Sequence, residues 1–223
     1  MDVSLNIKMN EKLYLRDPEQ SQIGRKILFH GVKLINQLGF EDFTFKKLAK
    51  EIETTEATIY RYFENKHRLL IYINTWYWSY LEYKIIFTTN NIKSPEAKLK
   101  LIIELLANPK HNFIKSDYIN ESDIYQLVLW EGFKTYLTKH VSEDNQDKLF
   151  KPFKDLCLRF ANVILEYNPK YKFSHSLAST ILEISHSQKF FMNNLPSLTD
   201  FENDKDGKKL TAFLESILFS SIK

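Results

Sequence analysis

Turn-forming residues are scarce in this chain, with five glycines and six prolines among 223 residues. That is about 5% of the chain, where roughly 12% is usual. A β-sandwich or barrel needs a turn every ~8–12 residues and cannot be built at that frequency. Collagen-like and low-complexity disordered chains are excluded on the same grounds. At ~100–200 residues per domain, the length allows one or two domains. An all-α protein remains.

Other classes drop out quickly. The one cysteine, Cys157, cannot form an intrachain disulfide or a zinc-cysteine cluster, and packing as a small buried hydrophobe is its simplest role. No apolar run approaches the ~18 residues of a membrane span. The start Met1-Asp2-Val3-Ser4-Leu5-Asn6 lacks the basic-then-apolar layout of a signal peptide, so the expected location is the cytoplasm. Six histidines raise the question of a metal. Only His175 and His186 share a helical stretch, and they stand ~16 Å apart, too far for one ion. No metal, cofactor or catalytic centre is expected, because no nucleophile–base pattern, phosphate loop or carboxylate pair appears.

Residues 1–16 alternate apolar and polar through Val3, Leu5, Ile7 and Met9. They read as an extended arm, a hairpin turning at Asn10-Glu11, or a frayed tail. Asp17-Pro18-Glu19-Gln20 then has the chemistry of a helix start, and Gly39 that of a stop. A second helix begins at Thr44, burying Phe45, Leu48, Ala49 and Ile52. A third begins at Thr55 and carries Ile59 and Phe63. Only Glu53-Thr54 separates them, which forces a steep crossing of the helix-turn-helix kind. A long helix follows from about Lys66 to Phe87, with seven aromatics in residues 71–87. Ser94-Pro95-Glu96 opens the next, which ends near Asn108-Pro109. A short helix is expected over 111–120, another from Ser122 or Asp123 to Leu137, and one from Ser142 to Tyr167. Ser174 to Asn194 and a last segment from Leu210 complete nine to ten helices, with Asp204 to Lys209 as a solvated charge cluster.

The block from Ile27 to Leu70 resembles the DNA-binding domain of TetR-type (tetracycline-repressor-like) transcriptional regulators. The likeness rests on Gly39-Phe40, Phe43-Thr44-Phe45-Lys46-Lys47-Leu48-Ala49, Ala57-Thr58-Ile59-Tyr60-Arg61-Tyr62-Phe63, Asn65-Lys66 and Leu69-Leu70. It implies a helix-turn-helix domain over 17–65, preceded by an arm over 1–16. A C-terminal helical domain for ligand binding and dimerisation, over 66–223, would be joined to it by the long helix. In the DNA-facing set the resemblance puts Thr44, Tyr60, Tyr62 and Lys66 on phosphates, with Phe45 and Lys46 beside Thr44. Thr55, Glu56, Ala57, Thr58 and Arg61 are placed for base reading. On these roles, Tyr62→Ala or Lys66→Ala lowers affinity for all duplexes alike.

The residues support the likeness independently. Small side chains at Thr55, Ala57 and Thr58 let a helix N-terminus approach the major groove. The net charge is only +3, and residues 21–70 hold nine Lys or Arg against six Asp or Glu, so the whole excess lies there. The sequence departs from the family pattern at the turn, where Glu53 and Thr54 replace the usual glycine and small apolar residue. Glu53 is strained if the turn requires a positive φ. Glu56 repels phosphate, yet it could accept from a cytosine amino group.

The expected function is a homodimeric repressor that leaves its double-stranded operator when a small apolar or aromatic ligand enters the second domain. Trp76, Tyr77, Tyr80, Trp130 and Phe133 either line that pocket or form ordinary core. Phe153, Phe160, Leu177, Ile181 and Phe191 lie on the helices that form the family's dimer interface; they either face a partner or point inward. The alternative is a helix-turn-helix DNA binder with no small-molecule effector, controlled by a protein partner or by abundance.

Overall fold

Caps and breakers set most helix boundaries. The computed structural model describes residues 7–108, 120–201, 204 and 206–223. Among them are ten α-helices and no strand. The helix α1 (Gln22–Asp42) begins one turn later than Asp17 suggests: Asp17 caps a 3-10 turn at Pro18–Gln20, and Ser21 caps α1. Within α1, Gly39 adopts φ 77°, ψ 157°, a conformation essentially reserved for glycine, and this ends the regular helix there. The helices α2 (Phe45–Glu51) and α3 (Glu56–Tyr60) follow, then the long α4 (Lys66–Thr89) and α5 (Pro95–Ala107), whose Ser94 cap and N-terminal proline are those expected.

The later helices break more often than their apolar stripes suggest. Asn120 caps α6 (Glu121–Glu131), which gives way at Gly132 to a 3-10 turn instead of reaching Leu137. The stretch from Ser142 to Tyr167 is two helices, α7 (Val141–Gln146) and α8 (Lys151–Tyr167), separated at Lys148 with φ 59°. Then come α9 (Ser174–Asn194) and α10 (Lys208–Ser221). Asp204 is buried and accepts the Leu210 N–H at 3.0 Å, so this acid serves α10 and is not part of a solvated cluster. The short helix expected over 111–120 falls outside the described residues up to 119, as do Val3, Leu5 and Lys205.

The chain forms two compact units, Met1–Tyr80 with Asn112–Pro152, and Leu81–His111 with Phe153–Lys223. This grouping differs from a division at residue 65, because α6 lies against α1 in the first unit. The helix α4 contributes to both. Every residue from Leu69 to Trp78 is buried, as expected of a helix apolar on all sides. Each large apolar side chain buried along this stretch contributes about 1.5–3 kcal/mol. In the second unit α5, α9 and α10 pack together. Leu156, Phe160 and Ile164 of α8 and Ile181 of α9 are completely buried there. No described helix is long and apolar enough to cross a membrane.

Candidate nucleic-acid interface

The helix pair α2–α3 is built from its own capping chemistry. Thr44 Oγ1 accepts the Lys47 N–H at 3.2 Å and starts α2. Phe45, Leu48 and Ala49 turn to the core at i, i+3 and i+4. The helix closes with two backbone bonds, Glu53 N–H to the Lys50 carbonyl at 3.3 Å and Thr54 N–H to the Ala49 carbonyl at 2.8 Å. This pairing is a Schellman closure, and it demands a left-handed residue after the cap. Glu53 fills that position at φ 54°, where glycine is the easier occupant. Thr55 then accepts the Thr58 N–H at 3.2 Å and starts α3.

Core and surface separate cleanly on α3. Ile59 and Phe63 are fully buried, while Thr55, Glu56, Ala57 and Arg61 are exposed and Thr58 is partly so. Tyr60 is 48% exposed, its ring edge-on to Phe45 at 5.0 Å. Thr44, Lys46 and Lys50 are exposed on α2. Together these side chains form one polar surface around the start of α3.

Three expected members of that surface are placed elsewhere. Phe45 is core, consistent with its position on the apolar stripe of α2. Tyr62 is fully buried, and its hydroxyl lies 2.8 Å from the Ser21 hydroxyl. Lys66 is half-buried; its ammonium donates to the carbonyls of Phe40, Glu41 and Phe43 at 2.8, 2.9 and 3.0 Å. An ammonium has three protons, and all three serve the α1–α2 junction. Tyr62 and Lys66 therefore hold the α1–α3 unit together and present no free donor to a phosphate.

Sequence reasoning missed the groups that fix the same junction from α6. Glu131, 7% exposed, accepts the Phe40 N–H through Oε1 at 2.9 Å. Its Oε2 pairs with Lys134 at 2.9 Å, and Lys134 also reaches Glu41 at 3.0 Å. The hydrogen bond to Glu131 is the main reason the Lys134 ammonium titrates above its ordinary value. Next to it, buried Asn74 of α4 donates to Thr135 Oγ1 at 2.8 Å and to the Gly132 carbonyl at 3.3 Å. Nothing local in the sequence marks Glu131, because its partner lies 91 residues away.

The aromatic residues expected at a ligand pocket divide. Trp76, Tyr77 and Tyr80 are buried, with Trp76 stacked on Tyr80 at 5.3 Å and Tyr77 against Tyr125 at 6.1 Å. Trp130 and Phe133 are 50% and 36% exposed. Among the residues expected at a dimer interface, Phe160 and Ile181 are completely buried and Leu177 nearly so, which takes them out of any contact surface. Phe153 and Phe191 keep partial exposure. Cys157 is buried, and desolvation pushes its thiol up to about 12, against a thiolate role.

Residues 27–73 match the family described as bacterial regulatory proteins, tetR family. No curated protein matches the chain in sequence. Solved structures of the same fold include the fatty acid degradation regulator FadR from Bacillus halodurans, 17% identical, with a TM-score of 0.59 over 88% of this chain and 93% of that one. A TetR-family transcriptional regulator from Bordetella parapertussis 12822 is 14% identical, with a TM-score of 0.57 over 90% and 96%. AibR in complex with isovaleryl coenzyme A and operator DNA is 14% identical, with a TM-score of 0.56 over 85% and 97%. At these identities the likeness concerns the fold.

Proposed function

Because residues 27–73 match the family described as bacterial regulatory proteins, tetR family, we propose that this chain is a transcriptional regulator of that kind, a dimeric repressor released from its operator by a small apolar ligand. The observation that carries the DNA-binding part is the surface of α3: a capped helix start whose Thr55, Glu56, Ala57 and Arg61 face solvent above the buried Ile59 and Phe63. A helix presented this way fits the major groove, with small residues nearest the base edges. Thr44, Lys46 and Tyr60 flank it as phosphate ligands. Two such heads in a dimer would read half-sites ~34 Å apart.

The release step draws its support from chemistry and from fold relatives. The buried aromatic residues on α4 offer apolar, flat contacts. One structure of the same fold holds isovaleryl coenzyme A together with operator DNA, and another is a regulator of fatty acid degradation. Acyl thioesters are therefore the first ligand class to try. The ligand acts by binding the DNA-free arrangement of the helices more tightly than the DNA-bound one, and that difference in affinity limits how far the population shifts.

The test begins with selection of duplexes from a random library by the purified chain. Acyl thioesters of different chain length are then titrated into the selected complex, followed by fluorescence anisotropy. Sequence-specific binding reversed by one chain-length class is the expected result. A chain that binds no duplex at low salt rules out the whole reading. Specific binding that no ligand reverses removes only the effector. Light scattering of the free protein tests the dimer.

A further inference from the structure

The segment ahead of α1 is an ordered strap. Met9 and Leu13 are buried, and Asn10 donates to the Asp147 carbonyl at 2.9 Å. The Leu15 N–H donates to the Tyr62 carbonyl at 2.8 Å, and the Tyr14 ring meets that of Tyr72 edge-on at 6.2 Å. Pro18 lies so close over Gly24 that a Cβ there would stand 2.2 Å from the Pro18 carbonyl oxygen. Tyr72 donates its hydroxyl proton to Glu19 at 3.0 Å. The strap is thus fixed at both ends and in the middle, and it covers Tyr62.

The exposed side chains of the strap include one arginine. Arg16 is exposed, with its guanidinium carbon 5.5 Å from the centre of the Tyr62 ring. Among the described residues no acid forms an ion pair with it. The nearest acid in sequence, Asp17, already accepts from the Glu19 N–H and the Gln20 amide, each at 2.9 Å. The helix α3 has only five residues, so it is ~7.5 Å long and both of its ends stand beside one groove. Tyr62 lies just past its C-terminal end.

Resting on the DNA-binding reading above, we propose that Arg16 is a phosphate contact of the reading head, taking the position from which burial has removed Tyr62. Stacking on the ring restricts the guanidinium before DNA arrives, which reduces the side-chain entropy lost on binding. The planar fork then meets two phosphate oxygens at once. The net charge of this region is small, and Lys66 is committed to carbonyls, so one added cation changes the balance appreciably.

The experiment compares Arg16→Gln and Arg16→Lys with the unaltered chain on the selected duplex and on a scrambled one, across a range of salt. Glutamine keeps a planar amide over Tyr62 without the charge, and circular dichroism melting checks that each variant folds. Arg16→Gln is expected to weaken binding to both duplexes on the order of threefold to tenfold and to lower the salt slope by about 0.9, the value for one phosphate. Arg16→Lys is expected to keep the slope. A folded Arg16→Gln chain with unchanged affinity and slope, beside a Lys46→Ala chain that is weakened, overturns the proposal and leaves the DNA-binding reading intact. If the unaltered chain binds no duplex, both fall together.

Discussion

Glu131 Oε1, at the end of α6, accepts the backbone N–H of Phe40 at 2.9 Å, one residue past the point where Gly39 breaks α1. A buried carboxylate thus supplies the acceptor that the helix no longer offers. The same junction is held from α4 by Lys66, so two helices fix the spacing between α1 and the α2–α3 pair.

Glu131→Ala leaves the Phe40 amide buried without its acceptor and removes the partner of Lys134. The expected loss is about 2–3 kcal/mol, the range for a buried charge-assisted bond, tempered by the partial exposure of Lys134. Urea unfolding measures it. Glu131→Gln, which retains a carbonyl for the amide, is expected to lose about half as much. Equal midpoints for all three chains would remove Glu131 from this role.

Glu53→Gly is expected to stabilise the chain by about 0.5–1 kcal/mol. The left-handed conformation costs a non-glycine residue roughly 1–2 kcal/mol, offset in part by the greater freedom of glycine when unfolded. A thermal melt that moves downward would show that the glutamate side chain contributes more than its backbone strain costs.

Lys66→Met is expected to destabilise by about 1.5–3 kcal/mol through lost bonds to three carbonyls. Tyr62→Phe is expected to lose about 1 kcal/mol with the Ser21 contact. Neither should alter the salt dependence of duplex binding, because neither side chain has a free donor for a phosphate. A slope lowered by about one unit in either variant would return that residue to the DNA-facing set.

His186 is enclosed in α9, and desolvation pushes its imidazole down to about 4, only partly opposed by its bond to the Leu182 carbonyl. The unfolded chain therefore binds a proton at a pH where the folded chain refuses one. The stabilisation, about 3 kcal/mol, is complete above pH ~6.5 and is lost as pH falls towards about 4. Urea midpoints measured across that window should decline with acid in the unaltered chain and decline less in His186→Gln. Parallel curves would mean that other groups carry the acid response; His67, half-buried and also lowered by desolvation, is the first to try.

Local chemistry determined much of this protein from sequence. The caps Thr44, Thr55 and Ser94, the breaker Gly39 and the apolar stripe through Phe45, Leu48 and Ala49 all act within a turn or two of themselves, so their effects are legible without the fold. The positive φ at Glu53 was legible too, because a two-residue break between helices leaves few other closures. Tertiary structure alone decided which polar residues remain on the surface. Tyr62 and Lys66 look like DNA ligands in a linear reading, but the strap covers one and three carbonyls occupy the other. Phe160 and Ile181 fit an interface stripe until neighbouring helices enclose them. Exposure depends on what the distant chain lays over a residue, and Glu131 finding Phe40 across 91 positions follows from the same dependence.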